Sequence, residues 1–136
     1  MIVVQNIVGR LVETRFASPL SDAELTRFAD ERGRAVQKVA TERIVCIDAT
    51  RMNVLPPEQS EQLLAVLRRP SPGLLRSAFL LPSLRAVVAL QFERLVKQAQ
   101  VEARAFTDRR PLEEWLGELL TPVEKTRLRQ FLDENV

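Results

Sequence analysis

Residues 43–67 read RIVCIDATRMNVLPPEQSEQLLAVL, and this stretch decides the fold. The apolar run Ile44 to Ile47 stops at Asp48, crosses a loop and enters an amphipathic helix through Pro56-Pro57-Glu58. A nearly continuous apolar run is what a central strand needs when helices cover both of its faces. Pro57 suits the first helical turn, and Leu63, Leu64 and Leu67 then recur on one side of the helix that follows. A buried strand delivering its carboxyl end to a helix N-terminus is the place where α/β proteins build their sites. The residues standing there are Asp48, Thr50, Arg51, Asn53 and Glu58.

Working outward, the N-terminal side predicts a β-ribbon, Ile2 to Val8 and Leu11 to Phe16, joined by the two residues Gly9-Arg10. Ser21 followed three residues later by Glu24 is a capping box, so a helix is expected over residues 22–40, with Leu25, Phe28, Ala29, Arg32, Val36 and Val39 on its inner face. On the C-terminal side, Pro70-Ser71-Pro72-Gly73 stops the second helix and Leu74 to Leu81 reads as another buried strand. Ser83 is the expected cap of a third helix that carries Leu84, Val87, Val88, Leu95 and Ala99 at core spacing and reaches about Gln100. Val101 to Phe106 alternates like a half-exposed edge strand. Two helices close the chain. One opens at Pro111 with Leu112, Trp115, Leu116 and Leu119 inward, and the other starts at Thr121-Pro122-Val123-Glu124 and carries Leu128, Phe131 and Leu132. The expected order is ββαβαβαβαα, a mixed sheet with helices packed on it in one α/β domain spanning residues 1–136.

The chain has 136 residues, enough to bury roughly two thirds of its unfolded surface without staples. Its longest apolar stretch, Ser77 to Leu90, is broken by Pro82 and Arg85 and falls short of the roughly 20 residues of a membrane span. No integral membrane insertion is expected. Met1 leads straight into Ile2-Val3-Val4 without a basic n-region, and the single Cys46 cannot form an internal disulfide, so the expected location is the cytoplasm. Charge is uneven: residues 68–110 carry nine basic side chains against three acidic ones, while residues 111–136 carry three against six. Local pairing between the basic middle and the acidic tail is the expected outcome. Nucleic acid is not an expected partner, because there is no Tyr and no aromatic interleaves with the basic residues.

Chemistry-bearing motifs are few. With no histidine to activate it, Cys46 reads as a small core residue. Four glycines at 9, 33, 73 and 117 write no phosphate-binding loop, and one cysteine without histidine writes no thiolate or imidazole metal site. Asp48 and Glu58 form the nearest thing to a carboxylate pair, yet no nucleophile joins them. The expectation is a protein without catalytic residues, metal or cofactor.

At this point the sequence resembles a known family. The element order is similar to the STAS-like fold of anti-sigma-factor antagonists, the SpoIIAA-like group, and in particular to its small bacterial STAS/SEC14-type members. In that pattern a strand ending in Asp is followed by a short apolar loop and then Asp-Ser-Ser/Thr-Gly at a helix start, where a phosphorylated hydroxyl controls partner binding. Ile44 to Asp48 matches the strand, Met52 and Val54-Leu55 match the loop, and the hydroxyl-bearing stretch falls on Pro56, Pro57, Glu58 and Gln59. A second similar stretch is Ala105 to Leu116, AFTDRRPLEEWL. The resemblance covers about residues 1–120 and leaves 121–136 as an added C-terminal helix. It implies a non-catalytic regulatory module that docks a protein partner through Asp48, Thr50, Arg51, Asn53 and Glu58. The chain departs from the family at the control point, since Pro57 and Glu58 carry no phosphorylatable hydroxyl. Glu58 is either a permanent mimic of the phosphorylated state or simply the acidic residue that a helix N-terminus favours by about 0.3 to 1 kcal/mol.

Two other readings stand beside this one. The SEC14-like kinship implies a carrier or sensor of an apolar or anionic small molecule or lipid, with Arg76, Phe79 and Arg85 lining the ligand. Alternatively, Leu128, Phe131 and Leu132 of the terminal helix pair with a second copy to make a homodimer or scaffold.

Overall fold

In the computed structural model the described residues are 1–38, 42–69, 71–99 and 102–134, with the side chains of 33–38 outside the description. The elements follow the expected order: β1 (Ile2–Gln5), β2 (Leu11–Ala17), α1 (Asp22–Lys38), β3 (Arg43–Arg51), α2 (Pro57–Arg68), β4 (Leu74–Leu80), α3 (Ala86–Ala99), β5 (Ala103–Phe106), α4 (Arg109–Gly117) and α5 (Pro122–Asp133). Val36 of the expected α1 stripe, together with Val39, Ala40, Pro70, Gln100 and Val101, falls outside the described residues or side chains.

The sheet has five strands in sequential order, β1-β2-β3-β4-β5. β1 is antiparallel to β2, and the other neighbours are parallel. Each crossover from β2 onward steps the same way across the sheet. With one hand of connection, the three crossover helices must then land on one face.

That is where they lie. Val45, Ile47 and Ala49 of β3 pack with Leu25 and Phe28 of α1, Leu63, Val66 and Leu67 of α2, and Val88, Phe92 and Leu95 of α3. The alternate residues Ile44 and Cys46 point through the opposite face, where they meet Leu112, Trp115 and Leu116 of α4 and Leu128, Phe131 and Leu132 of α5. β3 is therefore covered on both sides, as its apolar run predicts. The reading of Cys46 as a core residue fits its complete burial, and that burial, with Asp48 and Glu13 nearby, pushes its thiol pKa well above the ordinary value.

Three local expectations need correction. The β1–β2 connection runs over residues 6–10 instead of two, because the Asn6 amide donates to the carbonyls of Gly9 and Leu11, and Gly9 takes a positive φ of 54° to close the turn. β3 continues to Arg51, so Thr50 and Arg51 belong to its end and not to a loop. Helix α3 starts at Ala86 instead of next to Ser83, since residues 83–84 form a turn. Its buried stripe is Val88, Ala89, Phe92, Leu95, Val96 and Ala99, which leaves Leu84 96% and Val87 69% exposed.

The basic middle of the chain pairs with the acidic tail. Arg76 meets Glu118, Arg109 meets Glu113 and Asp133, and Arg110 meets Glu114. No helix among the described residues is long and apolar enough to cross a membrane.

Candidate functional site

The parallel strands β3, β4 and β5 end together, and a groove of about 640 Å³ lies just beyond their carboxyl ends. Its walls are Thr50 from β3, the segment Leu80 to Arg85 after β4, and Thr107 to Arg109 after β5. Open α/β sheets place their ligands outside the carboxyl ends of the strands where the strand order reverses; this sheet keeps one direction from β2 to β5, so the groove is identified by its own lining.

The end of β3 is held by its own side chains. Asp48 is 3% exposed, and its Oδ1 accepts from the Thr50 backbone N–H at 3.0 Å and the Thr50 hydroxyl at 2.7 Å. Met52 is then fully buried and anchors the turn, while the Ser18 hydroxyl accepts from the Asn53 N–H at 2.8 Å. Two side chains on the α3 side clamp the loop that follows. Arg85 donates to the Met52 carbonyl at 3.2 Å and to the Asn53 side-chain oxygen, and the Gln91 amide both accepts from Leu55 N–H at 2.8 Å and donates to Leu55 O at 2.9 Å. Gln59 fastens the start of α2 by donating to Leu20 O at 2.7 Å. Between Ser18, Arg85 and Gln91 the 52–55 loop is preorganised.

The expected docking residues thus divide. Thr50 lines the groove and Asn53 is joined to its wall through Arg85. Arg51 is exposed at the strand end, and Glu58 is exposed on the first turn of α2, behind an N-cap, Pro56, whose side chain makes no capping bond. Neither Asp48 nor Glu58 lines the groove. Asp48 instead borders a smaller cavity of about 90 Å³ with Arg15, Arg51 and Glu134. Asp48 is buried and Glu58 exposed.

The expected ligand-lining set does not converge. Arg76 and Phe79 are three residues apart on β4, and an odd separation puts side chains on opposite faces of a strand. Phe79 is 1% exposed and belongs to the core under α1–α3. Arg76 lies on the α4 side, donating to Trp115 O at 2.6 Å and sitting 4.8 Å from the Trp115 ring centroid. Only Arg85 reaches the groove.

Leu128, Phe131 and Leu132 are likewise placed inside the chain. They are 1%, 1% and 3% exposed, turned onto the sheet in the second core, so this stripe of α5 is occupied intramolecularly. The reason is the polar sheet face it covers. β2 presents Glu13 and Arg15 there, and α5 meets them through Arg127 and the Phe131 carbonyl and ring, with Gln5 of β1 as a further donor to Glu13 and Glu134, just past α5, as a further partner of Arg15.

Sequence reasoning missed Gln91 and the exposed pair Leu84 and Val87. Gln91 carried no signal, since a Gln in a helix reads as a solvated position. The other two were hidden by a helix start placed two residues too early. The chain matches no known family model and no curated protein.

Proposed function

We propose that this chain is a non-catalytic interaction module that docks a protein partner at the carboxyl edge of β3–β5. The observation that carries the reading is the groove beyond those strand ends, with Leu84 on its wall 96% exposed while Arg85 and Gln91 hold the adjoining loop still. A fixed edge with an unburied leucine spends little ordering entropy on association and gains from covering apolar surface. Val87 and Val54, at 69% and 50% exposed, extend the apolar character along α3 and the loop. The resemblance to SpoIIAA-like antagonists supports the same edge as a regulatory docking face, here without the phosphorylatable hydroxyl. In this reading Glu58 is a helix-start residue and the edge is constitutively competent.

The test is affinity capture from the source cell with the wild-type chain and with Leu84→Asp, Arg51→Ala and Asn53→Ala. A partner held by the wild type and lost with Leu84→Asp, at unchanged circular dichroism, supports the edge. If every substituted chain keeps the same partners, the docking face is elsewhere.

A further inference from the structure

At the opposite, amino-terminal edge of the parallel strands, two arginines share the wall of one small cavity. Arg43 opens β3 and is 2% exposed, and Arg32 of α1 is half-buried. Their cavity, about 20 Å³, is otherwise lined by Val4, Val12, Phe28, Val45, Ile47 and Leu74, with the hydroxyls of Thr14 and Ser71.

The charges are uncompensated. Among the described residues no carboxylate forms an ion pair with either guanidinium, and the segments outside the description contain no Asp or Glu. Their hydrogen-bond partners are neutral. Arg32 donates to Val66 O at 3.3 Å, and Arg43 donates to Pro72 O at 2.8 Å and to the Ser71 hydroxyl oxygen. Burial lowers the pKa of both groups, and for Arg32 the nearby Arg43 charge lowers it further. Guanidinium does not shed its proton in proteins, so both stay cationic, and burying Arg43 in an apolar wall beside a second, half-buried guanidinium is costly without a counterion.

We infer that the Arg32–Arg43 cavity binds one small monovalent anion of halide size. The space suits a single water-sized occupant and excludes sulfate or phosphate. Its lining residues offer donors and no acceptor charge. The Ser71 oxygen already accepts from Arg43, so its proton is free to point to the anion, and the Thr14 hydroxyl offers a second. The apolar remainder of the wall keeps the local dielectric low and strengthens each attraction.

The test is thermal unfolding of the full chain at constant ionic strength, with chloride replacing gluconate. An anion bound only by the folded state raises the midpoint by about 4 °C for each tenfold increase above its dissociation constant. Bromide should act as chloride does, and Arg32→Met should abolish the dependence. Crystals soaked in bromide should show an anomalous peak between Arg32 and Arg43, which keeps the proposal testable if the Arg32→Met chain does not fold. Superposed chloride and gluconate series, or bromide-soaked crystals without that peak, would overturn it.

Discussion

Arg127 of α5 grips Glu13 of β2 through two parallel hydrogen bonds of 2.7 Å each, across 114 residues of chain. Glu13 is fully buried, with Gln5 its other donor, while the Arg127 side chain is 12% exposed and also reaches Glu134, so it is the Glu13 charge that has no bulk water to fall back on. The bidentate geometry is the arrangement that repays desolvation best. Removing one partner strands the other. Arg127→Leu is expected to cost about 3 to 5 kcal/mol in urea unfolding, whereas Glu13→Leu combined with Arg127→Leu should return to the wild-type value or exceed it. A double variant as weak as the single one would show that the pair's packing, not its charge balance, matters.

Glu124 ties α5 to the β1–β2 turn and should give the fold an acid-sensitive joint. Burial by itself raises its carboxyl pKa, but hydrogen bonds from the Thr121 and Arg10 backbone N–H groups and from the Arg10 guanidinium outweigh it, so the net value lies below the ordinary 4.5. A group with a depressed folded-state pKa stabilises above its unfolded value and loses that contribution as pH falls through the folded one. Glu124→Gln should therefore be less stable than the wild type at pH 7, with the gap narrowing by pH 3. Urea midpoints at the two pH values measure it, and a gap independent of pH would remove the charge from the explanation.

The Gln91 clamp on Leu55 predicts a local effect. Two part-buried hydrogen bonds vanish in Gln91→Ala, at about 1 to 2 kcal/mol in total. Hydrogen exchange at the Leu55 amide should accelerate while amides in β3 keep their protection. Uniform acceleration would mean that the loop opens only with the whole domain.

Truncation after Leu120 should unfold the chain instead of yielding a folded monomer. It removes Leu128, Phe131 and Leu132 from the second core at roughly 1.5 to 3 kcal/mol each, and it leaves Glu13 buried without Arg127. Such a loss is comparable with the roughly 5 to 15 kcal/mol by which domains are stable. A cooperative unfolding transition in the truncated chain would show that α5 is an appendage.

The candidate site was only partly legible before folding. Asp48 and Thr50 stood out because a strand ending in a polar residue has a local signature, and both do belong to the carboxyl edge. Arg76 and Phe79 misled because strand alternation, applied strictly, already separates them. The groove's other features had no local signature. Leu84 is exposed only because α3 begins at Ala86, and Arg85 and Gln91 matter only because the chain returns to Met52 and Leu55.

The sequence by itself determined the element order, the buried central strand and the helix starts at Ser21, Pro57 and Thr121, because capping chemistry and hydrophobic period act over a few residues. Only the tertiary structure decided which faces meet. It laid the apolar stripe of α5 against its own sheet, with Glu13 and Arg127 as the charged pair at that contact, and left Arg32 and Arg43 facing one cavity without a carboxylate. Those outcomes depend on contacts between residues far apart in the chain, set by strand register and crossover direction.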